Sequence, residues 1–569
     1  MVYLPRFTLY VFKHFPSARF AVIVAVFGVI LEYLALSVML PLANANTQNV
    51  SSISSSVLDI WRRAAGLMGL ADEPRTWLWL FLLLLGIRII IGFAQITLNT
   101  WVSKSIHVNL SGETFSRVVK SEPLSEIYRR SVGYYISLAG DEAVRVGQVF
   151  FNLAQMLSAL IAAAIGLIVL LIFSPIVFKL TLVFLFLSGL SIGLATKRVF
   201  SWSHESAVIC REASTTFIEA FNGVRSIRSM AGEEFVAKRY RNALDRYGRV
   251  LFFLDVFNHG SRALPGLILI VLGLGALFPS INLFPDFSPI FFFTVTTMLI
   301  RVLSFLGTVV SSGGRVAIDL RAAFDLDDII SESAEHNPTS VVGEIISDVS
   351  NITISNLSCG YACGHPVLTE ISVQMNAGFS YALVGKSGTG KSTLSDVLLG
   401  LLPPMSGILQ IGNLQYNQID LLSLRRKVVL VEQQTRIFSD TVHENIAFGL
   451  YPSDEEIEAA VKAADLNEFI NSLPNGLATR LDYQGANLSG GQRQRIGLAR
   501  ALVRCPDVLI LDEATSALDG QTRDKILQNL QVLFHDKILF FITHDAHIMQ
   551  IVDEIWHLKK GKLIVETKV

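Results

Sequence analysis

The chain has 569 residues, more than one ordinary domain needs, so two or more units are expected. Apolar residues make up 51% and charged residues only 17%, against about 25% charge in a typical soluble domain, which excludes a wholly soluble enzyme and a disordered chain. Lys+Arg is 47 and Asp+Glu 48, a net charge of −1, so no global basic field exists to hold nucleic acid by its phosphates. Four cysteines in this length make no disulfide framework and fit soluble parts that face a reducing compartment.

The apolar excess is concentrated in residues 1–330, whereas 345–569 read as an ordinary α/β domain. Crossing the hydrocarbon takes roughly 20 apolar residues in helix. Six segments meet that length: 18–43, 77–101, 149–173, 176–195, 263–284 and 287–311. The first is too long, and too free of a small-residue cleavage site, to be a removable signal peptide. Residues 51–70 carry Val57, Ile60, Trp61, Leu67 and Met68 against Arg62 and Arg63, which suits a short amphipathic helix on the outer face of a bilayer or a packed outer loop. Segments three and four meet at a tight Ser174-Pro175 turn, and five and six at a link around Pro285.

Two connections, 102–148 and 196–262, are long and basic. The first carries Lys104, Arg117, Lys120, Arg129, Arg130 and Arg145; the second carries eleven Lys and Arg from Lys197 to Arg262; and the first 19 residues add three more. The opposite side holds Arg62, Arg63, Arg75 and Lys179. The positive-inside bias therefore places both long connections and both termini in the cytoplasm. Structureless loops of that size are uncommon, so membrane helices are expected to continue into the cytoplasm, turn near 121–136 and 222–233, and return.

A polar linker at about 331–344 separates the halves, giving domains at 1–330 and 345–569. A strand, Tyr381-Ala-Leu-Val384, runs into Gly385-Lys386-Ser387-Gly388-Thr389-Gly390-Lys391-Ser392-Thr393 and a helix over 391–400, the GxxxxGK[ST] phosphate loop in its required setting. Its glycines let backbone N–H groups curl round phosphate oxygens, and the helix N-terminus adds its dipole. Lys391 reaches the β- and γ-phosphates of ATP, and the Ser392 hydroxyl can ligate Mg²⁺. A second strand, Val508-Leu-Ile-Leu511, ends in Asp512-Glu513. Asp512 stands where a carboxylate serves the metal, and Glu513 is placed to polarise the attacking water as general base.

Between these lies Leu488-Ser489-Gly490-Gly491-Gln492, opening a basic helix through Arg504. This is the LSGGQ signature, and with its flanks the chain resembles the ATP-binding cassette (ABC) family throughout its length. The resemblance implies that Tyr361 stacks on adenine, that Gln433 contacts Mg²⁺ and the attacking water, that Ser516-Ala-Leu-Asp519 is the D-loop and that His544 senses the γ-phosphate. It further implies that two cassettes dimerise head to tail, so that Ser489, Gly490, Gly491, Gln492 and Asp519 serve the ATP held by the partner's phosphate loop. The implied architecture is an α-helical membrane domain of six transmembrane helices with long cytoplasmic extensions, of the exporter type, followed by an α/β P-loop NTPase cassette. One such chain is half a transporter, completed by a second copy or by a related half transporter. Exporters of this type commonly carry a Gly-Glu pair shortly before the signature; here the stretch is Leu481-Asp482-Tyr483-Gln484-Gly485, with Asp482 as a substitute acid. Cys359, Cys363 and His365 lack a fourth ligand nearby and read as ordinary residues around Tyr361 rather than as a metal site.

The cargo is written only in membrane charges. Glu32 falls mid-segment in helix one, Arg88 in helix two, Arg262 at the start of helix five and Arg301 in helix six. Each costs roughly 2.5–3.5 kcal/mol on insertion scales, so each is a functional candidate by default. Glu32 and Arg88 also suit a structural ion pair, which leaves Arg262 and Arg301 facing an interior cavity that fits an anionic head group. With Glu32 and Pro41 ending helix one and an arginine in helix two, the membrane half resembles the bacterial lipid-linked oligosaccharide flippases. That implies an amphiphilic, phosphorylated glycolipid moved among membrane lipids of the cytoplasmic (inner) membrane. A peptide or hydrophobic drug is the alternative cargo, and the absence of a peptidase domain before helix one argues against the leader-cleaving peptide exporters.

Overall fold

Apolar runs of this length have no way to satisfy their backbone in hydrocarbon except as continuous helix. The computed structural model describes residues 11–44, 52–67, 69, 71, 73–121, 123–173, 178–179, 181–182, 201–202, 205–206, 208–277, 289–335, 343–361 and 365–567. It divides into two compact units, Met1–Val119 with Arg130–Glu332, and Lys120–Arg129 with Ser333–Val569.

In the first unit, helix α1 spans Pro16–Asn44, α2 Ser52–Leu67 and α3 Pro74–Ser121. After α4 (Leu124–Arg129), the chain re-enters through Val132–Ser137, a π-helical turn at Leu138–Glu142 and α5 (Ala143–Phe173). Later come α6 (Glu233–Leu277) and α7 (Pro289–Glu335). Among the described residues, four stretches are long and apolar enough to cross a membrane: Pro16–Val38, Pro74–Lys120, Val132–Leu171 and Thr297–Leu320. They overlap the first, second, third and sixth expected segments. Most of 176–195, with the Ser174-Pro175 turn, lies outside the described residues; 263–284 is helical as far as Leu277, and its remainder, with Pro285, lies outside them as well.

The described residues of both long connections are mostly helical. Helix α3 continues unbroken for 48 residues, about 72 Å at 1.5 Å per residue, and α4 occupies the turn that follows. Residues 208–222 are helical, a short helix Val224–Ser229 fills the second turn, and Ala231 reverses the chain at φ 52° before α6. Helix α2 packs by its indole side: the Trp61 ring meets Trp77 edge-on at 6.5 Å, its Nε1 donates to Ser37 Oγ at 3.0 Å, and Ala65 is buried with Val38. Ile60 and Leu67 remain exposed, an apolar margin on a helix whose other face is pinned to α1 and α3.

The second unit folds around two sheets. Strands β1 (Asn351–Cys359), β2 (Leu368–Asn376), β3 (Ser380–Val384), β4 (Ser406–Ile411), β5 (Leu414–Gln415), β6 (Val428–Val431), β7 (Val508–Asp512), β8 (Ile538–Ile542), β9 (Glu554–Lys559) and β10 (Lys562–Thr567) form an antiparallel sheet β2-β1-β4-β5 and a six-stranded sheet β10-β9-β3-β8-β7-β6. In the larger sheet every pairing is parallel except β9 with β10. Strands covered on both faces must be apolar at every position, and all five residues of β8 are buried, as are the first four of β7.

Close helix approach in the first unit rests on glycine. A Cβ on Gly147 of α5 would stand 2.4 Å from the Ser103 carbonyl oxygen of α3, and Ser103 Oγ donates to the Gly147 carbonyl at 2.8 Å. Gly147→Ala should therefore force α3 and α5 apart and cost about 1–3 kcal/mol, lowering the thermal unfolding midpoint in detergent. Ser103→Ala, which removes only the hydrogen bond, should cost about 1 kcal/mol. An unshifted midpoint for Gly147→Ala would show that the two backbones do not meet there.

Candidate functional site

The phosphate loop leaves β3 and enters helix α8 (Lys391–Leu398) through two left-handed glycines, Gly388 at φ 78° and Gly390 at φ 106°. Gly390 has no room for a side chain, since a Cβ would lie 2.7 Å from Leu368 Cδ2. Lys386, Ser387 and Gly388 are exposed along the loop, and Thr389 Oγ1 donates to the Lys386 carbonyl at 2.8 Å. The Lys391 ammonium folds back over the loop, donating to the Gly385 carbonyl at 2.5 Å, with His544 Nε2 at 3.3 Å. Ser392 is exposed beside it and Thr393 is buried beneath.

The parallel register carries the other groups to the same edge. Asp512 ends β7 opposite Ile542, the last residue of β8, and His544 follows two residues on. Burial pushes the Asp512 carboxyl above the usual carboxylate range; the neighbouring Glu513 adds to the shift and Lys391 opposes it. Glu513 sits at φ 45°, a left-handed conformation that costs a non-glycine residue about 1 kcal/mol or more. Its N–H donates to the Ile542 carbonyl at 2.9 Å. Its carboxylate accepts from Gln433 Nε2 at 2.6 Å and lies 3.9 Å from His544 Nε2. Lys391, His544, Glu513 and Gln433 thus form one chain of contacts, with Asp512 at its base.

Tyr361 follows β1, half-buried, and its hydroxyl donates to Asp396 of α8, so the ring is fastened to the helix that the phosphate loop opens. Cys359 is fully buried in β1, its thiol pushed up to about 12 by burial, with Asp396 adding to the shift. Cys363 lies outside the described residues and His365 is exposed.

The signature residues form a second group. Ser489 caps helix α9 (Gly490–Leu502) in a reciprocal box: its Oγ accepts the Gln492 N–H at 3.2 Å, and Gln492 Oε1 accepts the Ser489 N–H at 2.8 Å. Gly490 and Gly491 lie against Ala517, where a Cβ on Gly491 would be 3.1 Å from its carbonyl oxygen. Asp519 caps the helix Gly520–Leu533 through the Thr522 N–H, a bond that holds its carboxyl below the usual range. Asp482 is exposed, and Tyr483 and Gln484 after it line, with Gln433 and Gln494, a groove of about 750 Å³. Sequence reading missed Asp396 and Gln494. Each is a polar residue in a helical run without a motif position to flag it, and only their burial and partners single them out.

In the first unit, Arg88 and Glu32 do pair: Arg88 Nε and Nη2 donate to Glu32 Oε2 at 3.0 and 2.8 Å. Arg301 was expected to stand apart from that pair, but its Nη1 lies 3.4 Å from Glu32 Oε1. The correction has a simple cause, since a carboxylate offers two oxygens and buried charge draws in every cation within reach. The side chain of Arg262 lies outside the described residues.

A glycine-rich turn that cradles its own lysine, an acidic strand end and a carboxamide–carboxylate contact define a P-loop ATPase, here continuous with membrane-length helices. The family model described as ABC transporter transmembrane region matches residues 18–316, and that described as ABC transporter matches 368–516. The ATP-dependent lipid A-core flippase of Albidiferax ferrireducens is 30% identical over 498 residues, 84% of this chain and 83% of that protein. The protein of the same name from Legionella pneumophila is 27% identical over 472 residues, 82% and 79%. The transport/processing ATP-binding protein ComA of Streptococcus pneumoniae is 31% identical over 359 residues, 62% of this chain and 50% of its own. Among solved structures, a bacterial Atm1-family ABC exporter with ATP bound superposes with a TM-score of 0.76 at 22% identity, over 96% of this chain and 95% of that one. The chain belongs to the ABC transporter family. It is an ATP-binding, ATP-hydrolysing membrane transporter with the exporter fold.

The placement of Cys359 can be checked by alkylation. In the native protein near pH 8, iodoacetamide should label the exposed Cys505 well before Cys359, which stays unmodified until unfolding, as read by peptide mass spectrometry. Early labelling of Cys359 would remove β1 from the core that supports Tyr361.

Proposed function

We propose that the chain is a half transporter that flips or exports an amphiphile with a phosphorylated head group, in the class of lipid-linked or glycolipid substrates. It works as a homodimer in the cytoplasmic (inner) membrane, with the N-terminus and cassette in the cytoplasm, a membrane domain at 1–330, a linker at 331–344 and the cassette at 345–569. The observation that carries the substrate reading is the charge cluster of Glu32, Arg88 and Arg301. Two guanidiniums share one carboxylate, leaving a net positive charge on helical stretches (20–44, 76–103 and 289–314) that hold no other charged residue, and the Arg301 side chain is half exposed. A phosphate or diphosphate is the group that such a fork of donors fits best. The two relatives named lipid A-core flippases support the same cargo class.

In the cassette, Tyr361 stacks the adenine, and the backbone from Gly385 to Thr393 and the Lys391 ammonium hold the phosphates. Ser392, Asp512 and Gln433 offer a hydroxyl, a carboxylate and an amide oxygen, hard donors of the kind Mg²⁺ takes, and the metal would offset charge on the β- and γ-oxygens. Glu513 accepts a proton from water while the water oxygen bonds to the γ-phosphorus and the bond to the ADP oxygen breaks. Gln433 and His544 orient that water and the γ-phosphate. Ser489, Gly490, Gly491, Gln492 and Asp519 complete the partner's site, which agrees with their standing as a separate group on this cassette. Both sites of the homodimer carry Glu513, so both hydrolyse.

Glu513→Gln should abolish steady-state phosphate release while ATP still binds; substantial residual turnover would remove the general-base assignment. Mass spectrometry of lipids co-purified with that variant and ATP should find a polyprenyl-phosphate species or related phosphorylated glycolipid enriched over bulk phospholipid, whereas a bound peptide would overturn the cargo reading. Arg301→Ala should abolish substrate-stimulated ATPase and leave the basal rate within about twofold. Full stimulation in that variant would show that the cluster does not meet the head group.

A further inference from the structure

The contact between Gln433 and Glu513 joins two loops, and neither loop is fixed by that contact alone. Behind it lies Gln494 of α9, which is only 5% exposed. Its Nε2 stands 3.3 Å from the Gln433 carbonyl oxygen, 3.4 Å from the Glu513 carbonyl oxygen and 3.4 Å from Ser516 Oγ. Its Oε1 accepts the Ala517 N–H at 3.1 Å. Both ends of one amide are therefore used, and its donor end reaches the backbone of both residues whose side chains meet at 2.6 Å. A buried carboxamide that bridges the Gln433 loop and two points of the 513–518 turn sets their spacing, because losing either end strands a buried polar partner.

We propose that Gln494 is a positioning residue for ATP hydrolysis: it fixes Glu513 and the Gln433 loop at the separation that water activation requires, and it ties both to Ser516 and to Ala517, against which the signature glycines lie. The inference rests on the assignment of Glu513 as general base. Gln494 is buried behind the Gln433–Glu513 contact and bonds only to protein groups, so its effect falls on turnover rather than on ATP affinity. Displacement of reacting groups by about 1 Å costs roughly 100-fold in rate.

The test uses the full-length protein in lipid nanodiscs with ATP as the probe. Gln494→Met keeps the volume and removes the amide; Gln494→Glu keeps an oxygen for the Ala517 N–H but, when ionised, sets negative charge against two carbonyl oxygens. Both should lower kcat by about 10–100-fold and leave KM and the affinity for a fluorescent ATP analogue within about threefold. A carboxyl buried beside carbonyl oxygens is pushed toward its protonated form, which restores one donor. Activity of Gln494→Glu relative to wild type should therefore rise as pH falls from about 8.5 to about 6.5, and that of Gln494→Met should not. That pH rescue is the readout a purely structural role would not produce. Should Gln494→Met fail to fold, the pH profile of Gln494→Glu decides alone. A kcat within twofold of wild type in both variants, or losses in Gln494→Glu that no pH relieves, would overturn the inference. Glu513→Gln, run in parallel, separates the two readings. Turnover in that variant overturns the general base whatever Gln494 does, whereas a silent Glu513→Gln beside a normal Gln494→Met overturns only the positioning role.

Discussion

The parallel pairing of β3, β8, β7 and β6 is the constraint from which the catalytic geometry follows. Leu383 and Asp512 both pair with Ile542, and Val431 pairs with Leu511, so four strands finish at one edge. Whatever residue follows each strand is thereby delivered to the same place: Gly385 after β3, His544 after β8, Glu513 after β7 and Gln433 after β6. A slip of one residue in any of these pairings would turn every side chain to the opposite face and would scatter the group. The sheet resists such a slip because it would draw a polar residue from beyond the edge in among the covered positions, where burial without a partner is costly.

The left-handed backbone at Glu513 is the point at which this order is least comfortable. A glutamate gains nothing from φ 45° by itself, and the conformation persists because the Ile542 carbonyl, the Gln433 amide and the neighbouring Gln494 hold the residue from different sides. The membrane unit shows a parallel arrangement of strain and support. Glu32 is a carboxylate placed among apolar side chains, tolerable because Arg88 and Arg301 approach its two oxygens from helices far apart in the chain.

Much of this was legible in the residues themselves. Val508-Leu-Ile-Leu-Asp reads as a covered strand with a polar end, and the glycine spacing before Lys391 reads as a phosphate cradle. The run through Trp61 and Arg62 reads as an amphipathic helix, and the structure adds that Trp61 turns inward onto Trp77. What could not be read is whatever depends on three partners meeting. Arg301 joins Glu32 across 269 positions of sequence, and no periodicity announces that. Gln494 sits in a helix rich in Arg, where a further polar residue looks like solvated surface, and only its burial among backbone carbonyls separates it from its neighbours.

Helix α3 carries a mechanical consequence. It is continuous from Pro74 to Ser121 with no interior proline, so it behaves as a stiff rod of about 72 Å rather than as a jointed strut. Rocking such a rod by about 5° about its centre displaces each tip by about 3 Å in opposite directions. The ion cluster at Arg88 lies nearer one tip and Lys120 at the other, so a small displacement at the Lys120 end is inverted and delivered to the charges around Arg88 without any hinge. In engineering terms the helix is a lever with a fixed ratio, and its stiffness determines how little movement is lost between its two ends.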